Sequence, residues 1–234
     1  MHILLTRPIL SVEATKTKLV ALGHTVECAP VLEIVALPQQ ISQHANSIAV
    51  FTSHNAVRAL EEISPGWLSG FAGHVFAVGE KTAKAVTNAG FSNVQVGGGD
   101  VAGLTEFIAI TMGQERPQVF FPRGKHVKGE LASKLNEYGF EVVSQILYEA
   151  RPAKSLPESV ISGLKGGKFD RVLFYSARTA TIFIGLAQNA KIDRLDKVVA
   201  VALSAAIADD LKGINWADIK IADEKTETSL ISAL

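Results

Sequence analysis

Short runs of apolar and β-branched residues alternate along the chain with stretches whose apolar positions recur every three or four residues. The first pattern predicts strands and the second amphipathic helices. Strands are expected at 3–6, 25–29, 48–52, 75–78, 93–96, 118–121, 141–148, 172–175, 198–201 and 218–221. Helices are expected at 11–22, 55–63, 80–89, 101–112, 128–138, 179–187, 204–212 and 226–234. Such regular alternation predicts parallel sheets covered by helices on both faces. Gly23, Gly90, Gly139 and Gly213 each follow a helical stretch, where a left-handed C-terminal turn favours glycine. Segments 113–117 and 153–167 read as loops.

Two extended segments interrupt the rhythm. One is Glu33-Ile34-Val35-Ala36-Leu37-Pro38 and the other Leu147-Tyr148-Glu149-Ala150-Arg151-Pro152. They predict a two-stranded linker made of 34–38 and 147–152. One domain would then be 39–146, and the other 1–33 together with 153–234. The chain also repeats itself. Phe51-Thr52-Ser53 returns as Phe174-Tyr175-Ser176, and Val75-Phe76-Ala77-Val78 as Val198-Val199-Ala200-Val201, both 123 positions on. Arg7 and Gly23 return as Arg123 and Gly139, 116 positions on. Such a period is too long for a solenoid unit and reads as a duplicated domain. The expected fold class is therefore α/β: two similar domains, each a mostly parallel sheet flanked by helices, joined by a two-stranded linker. A cleft between the domains is the expected ligand site.

Composition narrows the chemistry. Of 234 residues, 47% are hydrophobic, enough for packed cores. Lys and Arg total 23 and so do Asp and Glu, a balance that argues against a nucleic-acid partner. No apolar run reaches membrane-spanning length, and the start of the chain does not read as a signal peptide, so a cytoplasmic protein with no membrane partner is expected. The lone Cys28 allows neither an internal disulfide nor a cysteine metal cluster and reads as a buried, inert side chain.

Familiar motifs are missing. No GxGxxG follows a strand, and Gly97-Gly98-Gly99 has the wrong spacing and reads as a flexible loop. Gly79-Glu80-Lys81-Thr82 ends like a phosphate loop but lacks the upstream glycine. Histidines 2, 24, 44, 54, 74 and 126 show no HxxxH or HExxH spacing, and there is no GxSxG elbow. Chemistry without metal or cofactor is expected.

Polar residues gather where predicted strands end and helices begin. They are Thr6-Arg7, Thr52-Ser53-His54-Asn55, Gly79-Glu80-Lys81-Thr82, Pro122-Arg123-Gly124-Lys125, Ser176-Ala177-Arg178-Thr179 and Leu203-Ser204. In an open parallel sheet this edge binds ligands. Hydroxyls there cap helices, and the N–H groups behind them attract anions. Arg7, Arg123 and Arg178 could grip carboxylates in bidentate fashion. The pattern suits a ligand with many negative charges. Taken singly, a capping hydroxyl is usually only a cap, Lys81 and Lys197 read as surface charge, and a tyrosine in a strand such as Tyr148 ordinarily serves packing.

In order and spacing, Thr6-Arg7-Pro8, Pro30-Val31-Leu32-Glu33-Ile34, Phe51-Thr52-Ser53-His54-Asn55-Ala56-Val57, Val78-Gly79-Glu80-Lys81-Thr82-Ala83, Pro122-Arg123-Gly124, Tyr148-Glu149-Ala150-Arg151-Pro152 and Ser176-Ala177-Arg178-Thr179-Ala180 resemble the uroporphyrinogen-III synthase family. The resemblance spans essentially the whole chain. Ala177 stands where the family's serine loop often has proline, and Val201-Ala202-Leu203-Ser204-Ala205-Ala206 lacks the glycine and threonine of its first-half counterpart.

The resemblance implies two α/β domains on a two-stranded linker and a cofactor-free hydro-lyase of tetrapyrrole (haem) biosynthesis. Such an enzyme closes hydroxymethylbilane to uroporphyrinogen III with loss of water and inversion of ring D. It implies substrate binding by Arg7, Thr52, Ser53, Lys81, Thr82, Arg123, Gly124, Ser176, Arg178, Thr179, Lys197 and Ser204, and Tyr148 as proton donor to the departing hydroxyl. The expected partner is the tetrapyrrole substrate. A monomer is expected, in transient contact with the enzyme that produces hydroxymethylbilane. The alternative is a non-catalytic two-domain binding or regulatory protein for a small polyanion.

Overall fold

A computed structural model describes residues 1–41, 47–91, 93–126 and 130–234, with the side chains of 9–11 outside the description. In chain order the elements are β1 (His2–Leu5), α1 (Ile9–Ala21), β2 (Thr25–Cys28), β3 (Leu32–Ala36), β4 (Ser47–Phe51), α2 (His54–Ile63), β5 (Val75–Ala77), α3 (Glu80–Asn88), β6 (Val94–Val96) and α4 (Val101–Met112). They continue with β7 (Gln118–Gly124), α5 (Leu131–Glu137), β8 (Val142–Pro152), α6 (Glu158–Lys165), β9 (Arg171–Phe174), α7 (Ala177–Asn189), β10 (Arg194–Ala202), α8 (Ala205–Asp210), β11 (Asn215–Ile221) and α9 (Glu227–Ser232). The chain divides into two compact units, Met1–Glu33 with Arg151–Leu234, and Ile34–Ala150. Both crossings fall inside strands, β3 and β8, which are neighbours in one sheet.

The first unit holds a parallel sheet in the order β11-β10-β9-β1-β2. Strand side chains alternate between faces, and β1 shows the consequence. Leu4 joins Val172, Phe174, Phe183 and Ala200 on one face, while Ile3 and Leu5 join Val12, Leu19, Leu173 and Leu230 on the other. All three β1 leucine and isoleucine side chains are buried, so the strand reads as a continuous apolar run, as strands covered on both faces do.

The second sheet runs β3-β8-β7-β4-β5-β6. Its β4 strand, Ser-Ile-Ala-Val-Phe, is buried throughout. Ile48 and Val50 pack with Leu104, Ile108 and Leu135 of α4 and α5, whereas Ala49 and Phe51 pack with Val57, Leu60 and Val86 of α2 and α3.

Three expectations need correction. The segment 153–167 is not all loop, because it carries α6. Val160 and Leu164, one turn apart, are buried against Phe169. The poor helix former Gly163 is there because a Cβ would lie 2.7 Å from the Phe169 ring. Gly213 does not take the left-handed turn seen at Gly23, Gly90 and Gly139. A side chain there would meet Ile184 at 2.7 Å, so close packing accounts for the residue. The strand expected at 141–148 and the linker segment after it are one continuous strand, β8. The helix expected from 128 is seen as α5 from Leu131; positions 128 and 129 lie outside the described residues.

Candidate functional site

Parallel strands bring every strand-to-helix loop of a sheet to one edge, the favoured place for a ligand. In the second unit Phe51 pairs with Ala77, and the Val78 N–H donates to the Phe51 carbonyl at 3.1 Å. The Gly97 N–H donates to the Ala77 carbonyl at 3.2 Å. The loops after β4, β5 and β6 therefore start side by side. Ser53 caps α2, its Oγ accepting from the Asn55 N–H at 3.2 Å. Gly79 precedes α3 and offers no side chain to cap it. Thr82 is buried in the first turn of that helix, and Lys81 beside it is exposed.

The triple glycine is not a loose loop. Gly98 has a φ of +74°, and a Cβ on it would lie 2.2 Å from the Gly103 carbonyl carbon, so the turn sits directly on the start of α4. Asp100 fixes that start by accepting from the Gly103 N–H at 2.8 Å.

At the end of β7, Arg123 is held by its own sheet. Its Nε donates to Ser144 Oγ at 2.6 Å and its Nη1 to the Gly124 carbonyl at 3.1 Å. Gly124 stands opposite Tyr148 in the β7–β8 register, where the ladder shifts by a bulge. A Cβ on Gly124 would lie 2.8 Å from Tyr148 Cζ and 3.1 Å from its hydroxyl. Next along, the Lys125 N–H donates to the Tyr148 carbonyl at 2.8 Å, and Lys125 Nζ pairs with Glu149 at 2.8 Å. Tyr148 is half-buried, packed on the cluster that contains Phe51 and Leu147.

His54 stands among the strand-end polar residues of the sequence, where it is given no role. His54 opens α2 and is half-buried. Burial first, then the charges of Lys81 and Arg58, hold its imidazole below the ordinary histidine range. A histidine at a strand end, with Arg58 four residues on, was the available signal.

In the first unit the Thr6 hydroxyl is spent on the Leu173 carbonyl at 3.0 Å. Arg7 already holds a carboxylate. Its Nη1 donates to Glu227 Oε1 at 2.7 Å and to Thr15 Oγ1 at 2.9 Å, and its guanidinium lies 4.0 Å over the Tyr175 ring. Lys18 also binds Glu227. Burial would raise the Glu227 carboxyl, but the hydrogen bonds of Lys18 and Thr15 and the charges of Lys18 and Arg7 bring it below the usual range. Burial pushes the Tyr175 phenol up to about 12, the Arg7 charge offsetting only part of the effect.

Ser176 caps α7, accepting from the Thr179 N–H at 3.2 Å and sharing a hydrogen bond of 2.8 Å with the Thr179 hydroxyl, which is buried. Arg178 is exposed in the first turn of the same helix. Ser204 precedes α8 but makes no side-chain capping bond. The Leu203 N–H donates to the Phe174 carbonyl at 3.0 Å, which sets the Ser204 loop beside the Ser176 loop. Arg7, Ser176, Arg178, Thr179 and Ser204 thus share one edge.

Lys197 does not join them. It lies in the irregular first part of β10, ahead of Val199, which pairs with Arg171 at the start of β9. Its stem lies 3.8 Å from where a Gly167 Cβ would be. In a parallel sheet a residue at the start of a strand sits at the opposite edge from one after its end. Cys28 is half-buried rather than fully buried. Burial, partly offset by Lys16, raises its thiol above the ordinary range, so the reactive thiolate is disfavoured.

Among the described residues no group of three or more His, Cys, Asp or Glu could hold a metal ion, and no helix is long and apolar enough to cross a membrane.

None of the curated proteins matches the chain by sequence. The fold is similar to that of uroporphyrinogen-III synthetase from Helicobacter pylori, at 20% identity and a TM-score of 0.65, covering 99% of this chain and 96% of that one. It is similar also to a mutant uroporphyrinogen III synthase from the extremely thermophilic bacterium Thermus thermophilus, at 20% identity and a TM-score of 0.52, with the same coverage of both chains. A sequence model of uroporphyrinogen-III synthase HemD matches residues 13–232. With that match spanning nearly its whole length, the chain belongs to the uroporphyrinogen-III synthase family, enzymes of tetrapyrrole synthesis.

Proposed function

We propose that the protein is the hydro-lyase of this family, closing hydroxymethylbilane to uroporphyrinogen III with ring D inverted. The observation that carries the reading is the family match over residues 13–232, on a chain whose two units each present hydroxyl- and cation-bearing loops at their strand ends. The substrate carries carboxylates on every ring. Thr52, Ser53, Lys81, Thr82 and Arg123 in one unit, and Ser176, Arg178, Thr179 and Ser204 in the other, supply donors and positive charge for them. Arg7, already occupied by Glu227, acts by fixing the loop around Tyr175.

Tyr148 protonates the departing hydroxyl, which leaves as water, and the pyrrole nitrogen supplies the electron pair that forms the azafulvene. The substituted carbon of ring D then attacks the freed methylene to give a spirocycle. That intermediate breaks its older bond to ring D and recloses at the other ring position. A proton leaves carbon as the ring regains aromaticity, so the net loss is one water. The protein's main contribution is orientation, because unguided closure gives the uninverted isomer.

In the same reading the protein is a cytoplasmic monomer that receives its labile substrate from the enzyme producing it. The lone cysteine supports that compartment. Purified protein, with no metal or cofactor added, is expected to speed the loss of hydroxymethylbilane well beyond the buffer rate. A rate equal to buffer alone contradicts the proposal.

A further inference from the structure

We infer that His54 is a proton-linked carboxylate-binding residue, taking up a proton as a substrate carboxylate reaches the loops after β4 and β5. The inference rests on the reaction proposed above and assigns one more side chain to its site.

The pairing of Phe51 with Ala77 makes the two loops neighbours, and α2 packs on α3. His54 opens α2, Arg58 lies one turn further along it, and Lys81 is the second residue of α3. The other charged side chains on the elements packed here are Glu61 and Glu62 farther along α2, Glu80 and Lys84 on α3, and Arg123 on β7; β4 carries none. Glu61 Oε2 accepts from the Gly66 N–H, at the far end of α2. The charges felt at the imidazole are those of Lys81 and Arg58, both positive.

Three groups able to be cationic thus lie on the opening turns of two packed helices, the imidazole half-buried and Arg58 and Lys81 exposed beside it. Only the imidazole can shed its charge near neutral pH, and the free protein favours its doing so. A carboxylate placed among them reverses the balance, because an opposite charge at close range favours the protonated ring. Binding the anion then raises the His54 pKa, and by reciprocity protonation strengthens binding. The contribution is full below the free-state pKa. It falls as pH rises through the window between the free and bound values, and it is absent above the bound value. Each pKa unit gained on binding is worth about tenfold in affinity.

The test titrates anaerobic uroporphyrinogen III into the protein by calorimetry, near pH 6–7 on histidine's ordinary scale, in two buffers of different ionisation heat. It compares the native chain with His54→Asn and with His54→Gln, each first checked for an unchanged melting temperature. The native protein is expected to take up a larger fraction of a proton per ligand than either variant. Its KM should rise by about tenfold through the window, a rise both variants lose. Equal proton uptake in native and variant proteins overturns the inference while leaving the proposed reaction intact if the native protein still forms the type III isomer. Failure of the native protein to form that isomer overturns both.

Discussion

The ring of Tyr148 occupies the space where a side chain on Gly124 would begin: a Cβ there would stand 2.8 Å from Cζ and 3.1 Å from the hydroxyl. The glycine is therefore a platform for the tyrosine. Gly124→Ala cannot be absorbed by a flexible tip, because the colliding atoms belong to a rigid aromatic ring. The substitution is expected to swing the phenol out of place and lower kcat by about tenfold or more, a misplacement cost of the kind expected for a positioned group. In a Tyr148→Phe background the same change should add little. Steady-state kinetics on the two single variants and the double variant decide the matter; equal effects in both backgrounds would separate Gly124 from Tyr148.

Tyr148→Phe keeps the ring that packs on the Phe51 cluster and removes only the hydroxyl. Turnover should fall by about a hundredfold, within the range for loss of a general acid, with a melting temperature close to native. An unchanged rate would remove Tyr148 from the acid role and leave the family assignment standing.

Glu227 ties α9 to α1 by accepting from Arg7, Thr15 and Lys18. Its carboxyl titrates below the usual range when folded, so the unfolded chain binds the proton more readily. The stabilisation is present above the unfolded-state pKa and is lost as pH falls through the lower folded-state value. Glu227→Gln should cost about 1 kcal/mol at neutral pH, a figure kept small because the ion pairs are partly exposed. The cost should shrink as the medium is acidified. Denaturant melts of both proteins from neutral to acid pH check this; a pH-independent difference would assign the effect to packing.

Lys197 and Ser204 lie at opposite edges of the same sheet. Lys197→Met should leave KM within about twofold of native, the range of a surface change. Ser204→Ala should raise KM by several-fold, about the worth of one hydrogen bond. A large KM effect at Lys197 with none at Ser204 would overturn the placement of substrate at the strand ends.

The α/β architecture was legible because strands buried on both faces, such as β1 and β4, read as unbroken apolar runs between amphipathic helices. The α6 helix was not, because Ser159, Ser162 and Gly163 dilute its pattern and leave Val160 and Leu164 as its fully buried apolar side chains, with Ile161 packed beside them. The strand-end loops could be found from hydroxyls and cations before helices. Their internal partners could not. Glu227, which occupies Arg7, is 220 positions away in sequence, and the use of Gly124 as a bare surface depends on a bulge-shifted register with β8. Lys197 is placed in the site by the family resemblance alone; it comes before the run Val198–Val201 and so lies at the far edge of the sheet from Ser204.

The isomer of the product bears most directly on the central claim, that the protein directs which end of ring D is joined. Hydroxymethylbilane generated fresh, exposed briefly to the purified protein, oxidised and separated by chromatography should give chiefly uroporphyrin III. Uroporphyrin I alone, matching a protein-free control, would contradict the account.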